Sequence, residues 1–308
     1  MIDILMATYN GESYVAEQID SILNQTYTKW KLYIRDDGSK DNTMSILEKY
    51  ANKYTDKIIL VKGGKKGLGA KGNFGELMKY SKSEYCMFAD QDDFWLSTKI
   101  EDSINKMFEI ENKEGTDFPV LVHTDLKVVD GKLETINESF WNYQNLDKNK
   151  IDLRNLLVQN NITGCTMLMN KSLMDLCQNT LENCIMHDWW IGLVASAFGA
   201  IYTVDNQTML YRQHGNNEVG AHKYNSLSFV KSKLSNIEKI NKSIDDTIVQ
   251  AGAFYNEFKD KLSECDKNLV YNYSVLREKN FIQRKINIVK NKFYKNGLVR
   301  NIGYLVFV

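Results

Sequence analysis

Asp90-Gln91-Asp92-Asp93 carries the strongest chemical signal in the chain. Carboxylates two residues apart in an extended turn can both reach one hard cation, while the residue between them points away. Magnesium and manganese suit such a pair, because they keep waters and take one or two carboxylates plus the phosphate oxygens of a substrate. The competing reading is a solvated acidic turn that caps a helix beginning near Thr98. A buried strand before the cluster and a second acidic pair facing it favour the cation. That second pair is Asp36-Asp37-Gly38-Ser39, followed by Asp41 and Thr43. Ser39 or Asp41 suits the N-cap of the next helix, but a cap uses one residue and leaves the paired carboxylates unexplained. Imide and ribose groups of a pyrimidine nucleotide offer donors that a carboxylate accepts.

These clusters need a scaffold that delivers them to one place. Ile2–Ala7, Lys31–Arg35, Lys57–Val61 and Tyr85–Ala89 read as short buried strands. Between them Ser13–Leu23, Thr43–Tyr54, Lys71–Tyr80 and Lys99–Glu111 carry apolar residues at helical spacing. Alternating strands and helices predict an α/β fold with a mostly parallel central sheet and helices on both faces. Ligands bind such sheets at the carboxyl ends of the strands. Thr8-Tyr9-Asn10-Gly11-Glu12, Asp36–Ser39 and Asp90–Asp93 follow three of those ends, and Gly63–Gly69 is a basic loop on the same rim. Further along, Val120–Val129 and Gly164–Met169 read as strands and Met186–Phe198 as a helix. Residues 226–280 read as long, helical and Lys/Glu-rich. The expected division is a sheet domain over residues 1–220 and a helical extension over 221–308.

Composition narrows the function classes. The 308 residues hold 39 basic and 39 acidic side chains, and this zero net charge argues against nucleic acid as the main partner. Five cysteines, odd in number and without C-x-x-C spacing, read as reduced thiols rather than a disulfide or zinc framework. No signal peptide is visible, and no apolar run reaches the roughly 18 residues that span a bilayer. The expectation is a cytoplasmic protein that can still lie on a membrane.

Ala7–Glu12, Asp36–Ser39 with Asp41 and Thr43, and Asp90–Asp93 together resemble family 2 of the glycosyltransferases, over roughly residues 1–220. Members are inverting enzymes with the GT-A fold. Phe88–Trp95, His187-Asp188-Trp189-Trp190 and Tyr211–Asn217 are similar to the bacterial rhamnosyltransferase branch, which builds cell-surface polysaccharides from dTDP-L-rhamnose. The resemblance implies nucleotide contacts for Thr8, Tyr9, Glu12, Asp36, Asp37, Lys71, Asn73 and Asp90. It implies Mn²⁺ or Mg²⁺ on Asp90 and Asp92, with Asp92 the direct ligand and Asp93 behind it or toward the acceptor. His214 matches a loop histidine that completes the metal or pyrophosphate site, and Arg212 would neutralise the departing diphosphate.

Asp188 matches the carboxylate that removes the acceptor proton as that oxygen attacks C1. Its other reading is a helix N-terminal carboxylate favoured by the macrodipole by roughly 0.3–1 kcal/mol. Trp95, Trp189 and Trp190 suit either a stacking wall for a sugar or the core. Gly164 resembles the acceptor-side strand entry, where a missing side chain lets a sugar approach the backbone. His187 is given no role.

A sugar nucleotidyltransferase would instead show a glycine-rich triphosphate loop after the first strand, where Thr8-Tyr9-Asn10 stands. A non-catalytic sugar-binding relic would tolerate loss of the acidic motif or of Asp188, and both are present. UDP-glucose or UDP-galactose is the leading alternative donor. Residues 281–308 combine Phe281, Ile282, Ile286, Ile288, Val289, Phe293 and Tyr294 with Arg284, Lys285, Lys290, Lys292, Lys295 and Arg300, and carry no acid. That pattern reads as a membrane-surface element near a lipid-linked glycan acceptor, or else as an ordinary packing helix with a basic outer face.

Overall fold

The computed structural model describes residues 1–178, 180–214 and 237–308. Gly215, Asn216, Asn217 and the expected boundary at 220/221 lie outside the described residues. Strand β1 (Ile2–Thr8) is apolar on both faces, as a strand covered on both sides must be. Its Ile4 and Met6 enter one core and Leu5 the other. Asp3 is buried within it, but its carboxylate accepts from the Lys82 and Ser83 N–H groups and from the Ser81 and Ser83 hydroxyls. That satisfies the charge.

β2 (Trp30–Asp36) and β4 (Tyr85–Ala89) flank β1 in parallel, and β3 (Ile58–Leu60) extends β2 in parallel. The crossovers carry helices α1 (Val15–Leu23), α2 (Thr43–Lys53) and α3 (Gly69–Met78). Val15, Ile19 and Ile22 of α1 recur at helical spacing and are buried, which explains why that segment packs on the sheet.

Beyond β4 the sheet is mixed rather than mostly parallel. The elements are β5 (Phe94–Trp95), α4 (Lys99–Glu114), β6 (Val120–Asp130), β7 (Thr135–Asn137), α5 (Phe140–Gln144), α6 (Leu153–Val158), β8 (Leu168–Asn170), α7 (Lys171–Cys177), α8 (His187–Phe198) and β9 (Ala200–Gln213). Strand order is β3-β2-β1-β4-β8-β6-β9-β5, with β7 on β6. β8 runs antiparallel to both β4 and β6, β9 parallel to β6, and β5 antiparallel to β9. Gly164–Thr166 is a 3₁₀ turn, so β8 starts later than the sequence pattern suggests. β9 was not apparent in the sequence because Asp205 and Asn206 interrupt its apolar pattern, where the register against β6 shifts.

The C-terminal helices are α9 (Ile237–Phe258), α10 (Glu264–Ser274), α11 (Phe281–Asn291) and α12 (Leu298–Phe307). They share a core with the sheet rather than standing apart from it. Ile244, Ile248, Ala251, Phe254 and Phe258 form the buried stripe of α9 and join Leu5, Phe74 and Phe88 in one cluster. Trp190 of α8 packs against Phe254 and Phe258, with ring centroids 5.5 and 6.3 Å away. Trp190→Ala is expected to cost about 3–5 kcal/mol through lost contact and a residual cavity. A drop in the urea midpoint with an unchanged slope would show it, and an unchanged midpoint would contradict this packing. All five cysteines are free thiols.

Candidate active site

The ends of the parallel strands are level: Thr8 sits opposite Asp36, and Met6 opposite Ala89. β4 then runs into Asp90–Asp93, and β9 brings Arg212 and His214 beside that turn through its pairing with β5. His214 Nε2 lies 2.7 Å from Asp92 Oδ2, and both side chains keep some contact with solvent. The Tyr14 ring lies against His214 at 4.8 Å and beneath the Arg212 guanidinium at 4.6 Å.

Arg212 is itself buried and committed within the protein. It donates to the Asp92 carbonyl at 2.9 Å, the Gly131 carbonyl at 2.8 Å and the Glu17 carboxylate. These bonds tie the guanidinium to the acidic turn, to Gly131 and to Glu17 of α1. It holds that turn in shape.

Negative charge is concentrated on this turn. Burial, then the charges of Asp92 and Asp188, push the Asp90 carboxyl up to about 7. Burial, then Asp92 and Asp90, raise Asp93 well above the usual carboxylate range. Asp93 Oδ1 accepts from the Arg212 N–H at 3.2 Å, while Oδ2 has no hydrogen bond among the described residues. Lys99, wholly buried beneath the turn, sits 4.9 Å over the Trp95 ring, and burial lowers its ammonium to about 8.

Two donor sets here can be weighed for a divalent cation. Asp90, Asp93 and Cys165 place ligand atoms within 4.8 Å of one another. Asp93 and Cys165, however, are sealed from solvent, and a thiol is a soft donor. Asp92 and the imidazole of His214 each keep partial access to solvent, and Asp90 is partly exposed beside them. That set fits a hydrated Mn²⁺ or Mg²⁺.

The residues expected at the nucleotide divide into scaffold and surface. Asp36 accepts from the Gly38 and Ser39 N–H groups at 2.9 and 2.8 Å, from the Ser39 hydroxyl, and from Thr8 Oγ1 at 3.1 Å. A carboxylate has about four acceptor sites, so Asp36 has none left for a ligand. It staples the turn. Asp37 accepts from Arg35 Nη1 at 3.3 Å and from the Gly69 N–H at 2.9 Å, which leaves acceptor capacity.

Asn73 is buried and bonds Arg35 twice, to Nη1 at 2.7 Å and to its carbonyl at 3.0 Å. It supports the Arg35 side chain beside Asp37. Glu12 receives the Asn42 N–H and side-chain amide, both at 2.8 Å. Lys71 donates to the Cys184 carbonyl at 2.9 Å and so ties α3 to the loop before α8. Tyr9 is 52% exposed at the rim.

Asp188 lies in the first turn of α8. Its carboxylate accepts from the Trp189 N–H at 2.6 Å. Burial raises it to about 6, against the Trp189 and Gly164 N–H groups and the Asn160 side chain, which favour its charged form. Gly164 has a different reason from the one expected. A Cβ there would come within 2.9 Å of His187 Nε2 and 3.4 Å of Asp188 Cβ, so the missing side chain makes room for the start of α8.

Burial holds His187 neutral, with its pKa lowered to about 3, between Phe74 and Phe88 at 4.3 and 4.7 Å. Trp95 and Trp190 are each 1% exposed and belong to the core, which corrects the stacking-wall reading for both. Trp189 is partly exposed and donates its indole N–H to the Leu156 carbonyl at 2.5 Å.

Gln91 reads in the sequence as a spacer between two aspartates. Its side chain accepts from the Tyr9 N–H and donates to the Tyr9 carbonyl, both at 2.9 Å, clamping the β1 and β4 ends together. Gly11 makes this possible, since a Cβ there would meet Gln91 Oε1 at 2.2 Å. Arg35, Glu17 and Tyr14 also shape the site. Their partners lie far away in sequence, and no local pattern marks them.

A family model described as glycosyl transferase family 2 matches residues 3–177. The chain belongs to that family. This glycosyltransferase is 30% identical over 245 residues to the dTDP-rhamnosyl transferase RfbG of Shigella flexneri, covering 74% of this chain and 80% of that protein. It is 27% identical over 176 residues to the Escherichia coli UDP-Glc:alpha-D-GlcNAc-diphosphoundecaprenol beta-1,3-glucosyltransferase WfgD, covering 57% of this chain and 62% of that one.

The fold of this glycosyltransferase is similar to that of the mannosyltransferase PcManGT from Pyrobaculum calidifontis, solved in complex with GDP-Man and Mn2+. The TM-score is 0.57 at 12% identity, over 94% of this chain and 73% of that one. The architecture is GT-A, with the C-terminal helices added on one face.

Proposed function

We propose that this glycosyltransferase moves a sugar, with inversion, from a nucleoside diphosphate onto a hydroxyl of a lipid-linked bacterial glycan at the inner face of the membrane. The observation that carries this is the convergence of Asp92, Asp90 and Asp188, with Asp90 feeling the charge of both its neighbours. One end of the cluster meets His214 and suits a cation, and the other is a carboxylate poised to take a proton.

Asp188 in its ionised form accepts the proton of the acceptor hydroxyl as the oxygen attacks C1 and the bond to the diphosphate breaks. Asp92, His214 and Asp90 would hold Mn²⁺ or Mg²⁺, which when bound neutralises charge on the departing diphosphate. The Tyr9 ring stacks on the base, and Asp37, with acceptor capacity remaining, takes its imide or ribose donors. Asp93 and Lys99 support the turn from below.

dTDP-L-rhamnose is the favoured donor, on the strength of the 30% identical relative. A UDP-hexose is the second reading, favoured by the likeness to a UDP-glucose-dependent enzyme. A panel of nucleotide sugars with and without Mn²⁺ or Mg²⁺, reading nucleotide diphosphate release, tests both. Turnover with a UDP-hexose and none with dTDP-rhamnose would replace the first donor by the second.

The Asp188 carboxyl also predicts a pH profile. With its pKa near 6, the base form is lost below that value, so kcat/KM should fall about tenfold per pH unit on the acid side. Because burial raises this pKa in the folded state, the group stabilises the fold below the ordinary carboxylate value. That contribution is lost as pH rises through about 6. Activity and this stability contribution therefore run in opposite directions with pH. A flat rate profile between pH 5 and 7 would remove Asp188 from the role.

A further inference from the structure

Most exposed large apolar side chains are scattered over the surface, but eight fall within the last 28 residues of the chain. On α11, Ile282, Ile286 and Val289 recur at i, i+4 and i+7, and all three are more than half exposed. On α12, Leu298, Ile302 and Val306 form a second stripe at i, i+4 and i+8, with Leu298 at 76% exposure. Other faces of these helices are satisfied, since Ile288 of α11 and Tyr304 of α12 are buried in the shared core, as are Phe293 and Val308 just past the helix ends.

Lys285 joins the two helices by donating to the Leu305 carbonyl and, at 3.2 Å, to the Val308 carbonyl.

We propose that α11 and α12 together form a platform that seats the enzyme on an anionic lipid surface, with Lys290 and Lys292 at the headgroups. This rests on the reading of a membrane-borne acceptor, and says which surface of the molecule meets the membrane. Charge selects the occupant. Residues 281–308 carry six basic side chains and no acid, and of these Lys290 and Lys292 are exposed, while Lys285 and Arg300 donate to backbone carbonyls and Lys295 lies over the Tyr304 ring. A second copy docking through this face would bring two exposed lysine pairs together with no acid of the segment to offset them. An anionic bilayer complements both the charge and the aliphatic stripes, and lysine stems lie along apolar surface while their ammonium groups stay in water. At 11 and 10 residues the helices are too short to cross a bilayer, and no described helix is long and apolar enough to do so. They lie in the interface plane.

Flotation of the intact protein on vesicles of phosphatidylglycerol and phosphatidylcholine tests this, beside pure phosphatidylcholine. The wild type should float with the anionic vesicles, sink with the neutral ones and be released by high salt. Ile282→Gln/Ile286→Gln/Leu298→Gln/Ile302→Gln and Lys290→Glu/Lys292→Glu should each reduce flotation by about tenfold or more. Both variants alter exposed side chains only, so circular dichroism and turnover on a water-soluble acceptor should match the wild type. That separates failure of the platform from failure of the transferase reading.

The proposal is overturned if the wild type stays at the bottom, or if both variants float as it does. It is equally overturned if the wild type is a dimer that the Gln variant dissociates while neither binds vesicles, since the face then belongs to a second copy.

Discussion

Asp188→Asn is expected to lower turnover by roughly 10²–10⁴-fold, the scale of a lost general base, while donor affinity stays within about twofold. The substitution keeps the side-chain shape, and the amide oxygen can still accept from the Trp189 N–H that the carboxylate meets at 2.6 Å. The start of α8 should therefore be preserved. The variant also removes a charge that burial disfavours, so its thermal midpoint should not fall at neutral pH. Turnover and nucleotide-sugar affinity are measured separately, the second by calorimetry. A variant with near-wild-type turnover would leave Asp188 as a helix-end carboxylate and nothing more.

Asp92→Ala is expected to cost roughly 10²–10³-fold in turnover and to abolish the response to Mn²⁺ or Mg²⁺. Metal stabilisation of a leaving group is worth several kcal/mol, and each 1.4 kcal/mol is about tenfold. The fold should survive, because Arg212 grips the carbonyl of Asp92 and not its carboxylate. His214 loses its partner at 2.7 Å but remains part of the loop. Calorimetry with dTDP and UDP, each with and without Mn²⁺, reads the effect directly. Nucleotide affinity in the wild type that does not change on adding metal would refute the cation site, whatever the variant does.

The two results would separate the halves of the site. Loss of metal response with the base intact isolates departure of the nucleotide. Loss of transfer with metal response intact isolates attack by the acceptor.

The parallel half of the sheet, the acidic rim and the place of Asp188 at a helix start are legible in the order of residues along the chain. Those features are local: a buried strand is a short apolar run, its carboxyl end is the next few residues, and a helix start is read within one turn. Tertiary structure alone decided how each polar group is used. Asp36 and Asp37 are adjacent in sequence, yet the Thr8 and Ser39 hydroxyls fill the first while the second retains capacity. Arg212 reads as a diphosphate ligand in the sequence, and its bond to Glu17, 195 residues away, shows only in the fold. Trp189 and Trp190 are neighbours on one helix, yet the second is buried in the shared core with its ring against Phe254 and Phe258 of α9. The physical reason is the same each time. Hydrogen-bond saturation and burial depend on partners that folding brings from distant parts of the chain, and local pattern carries no record of them.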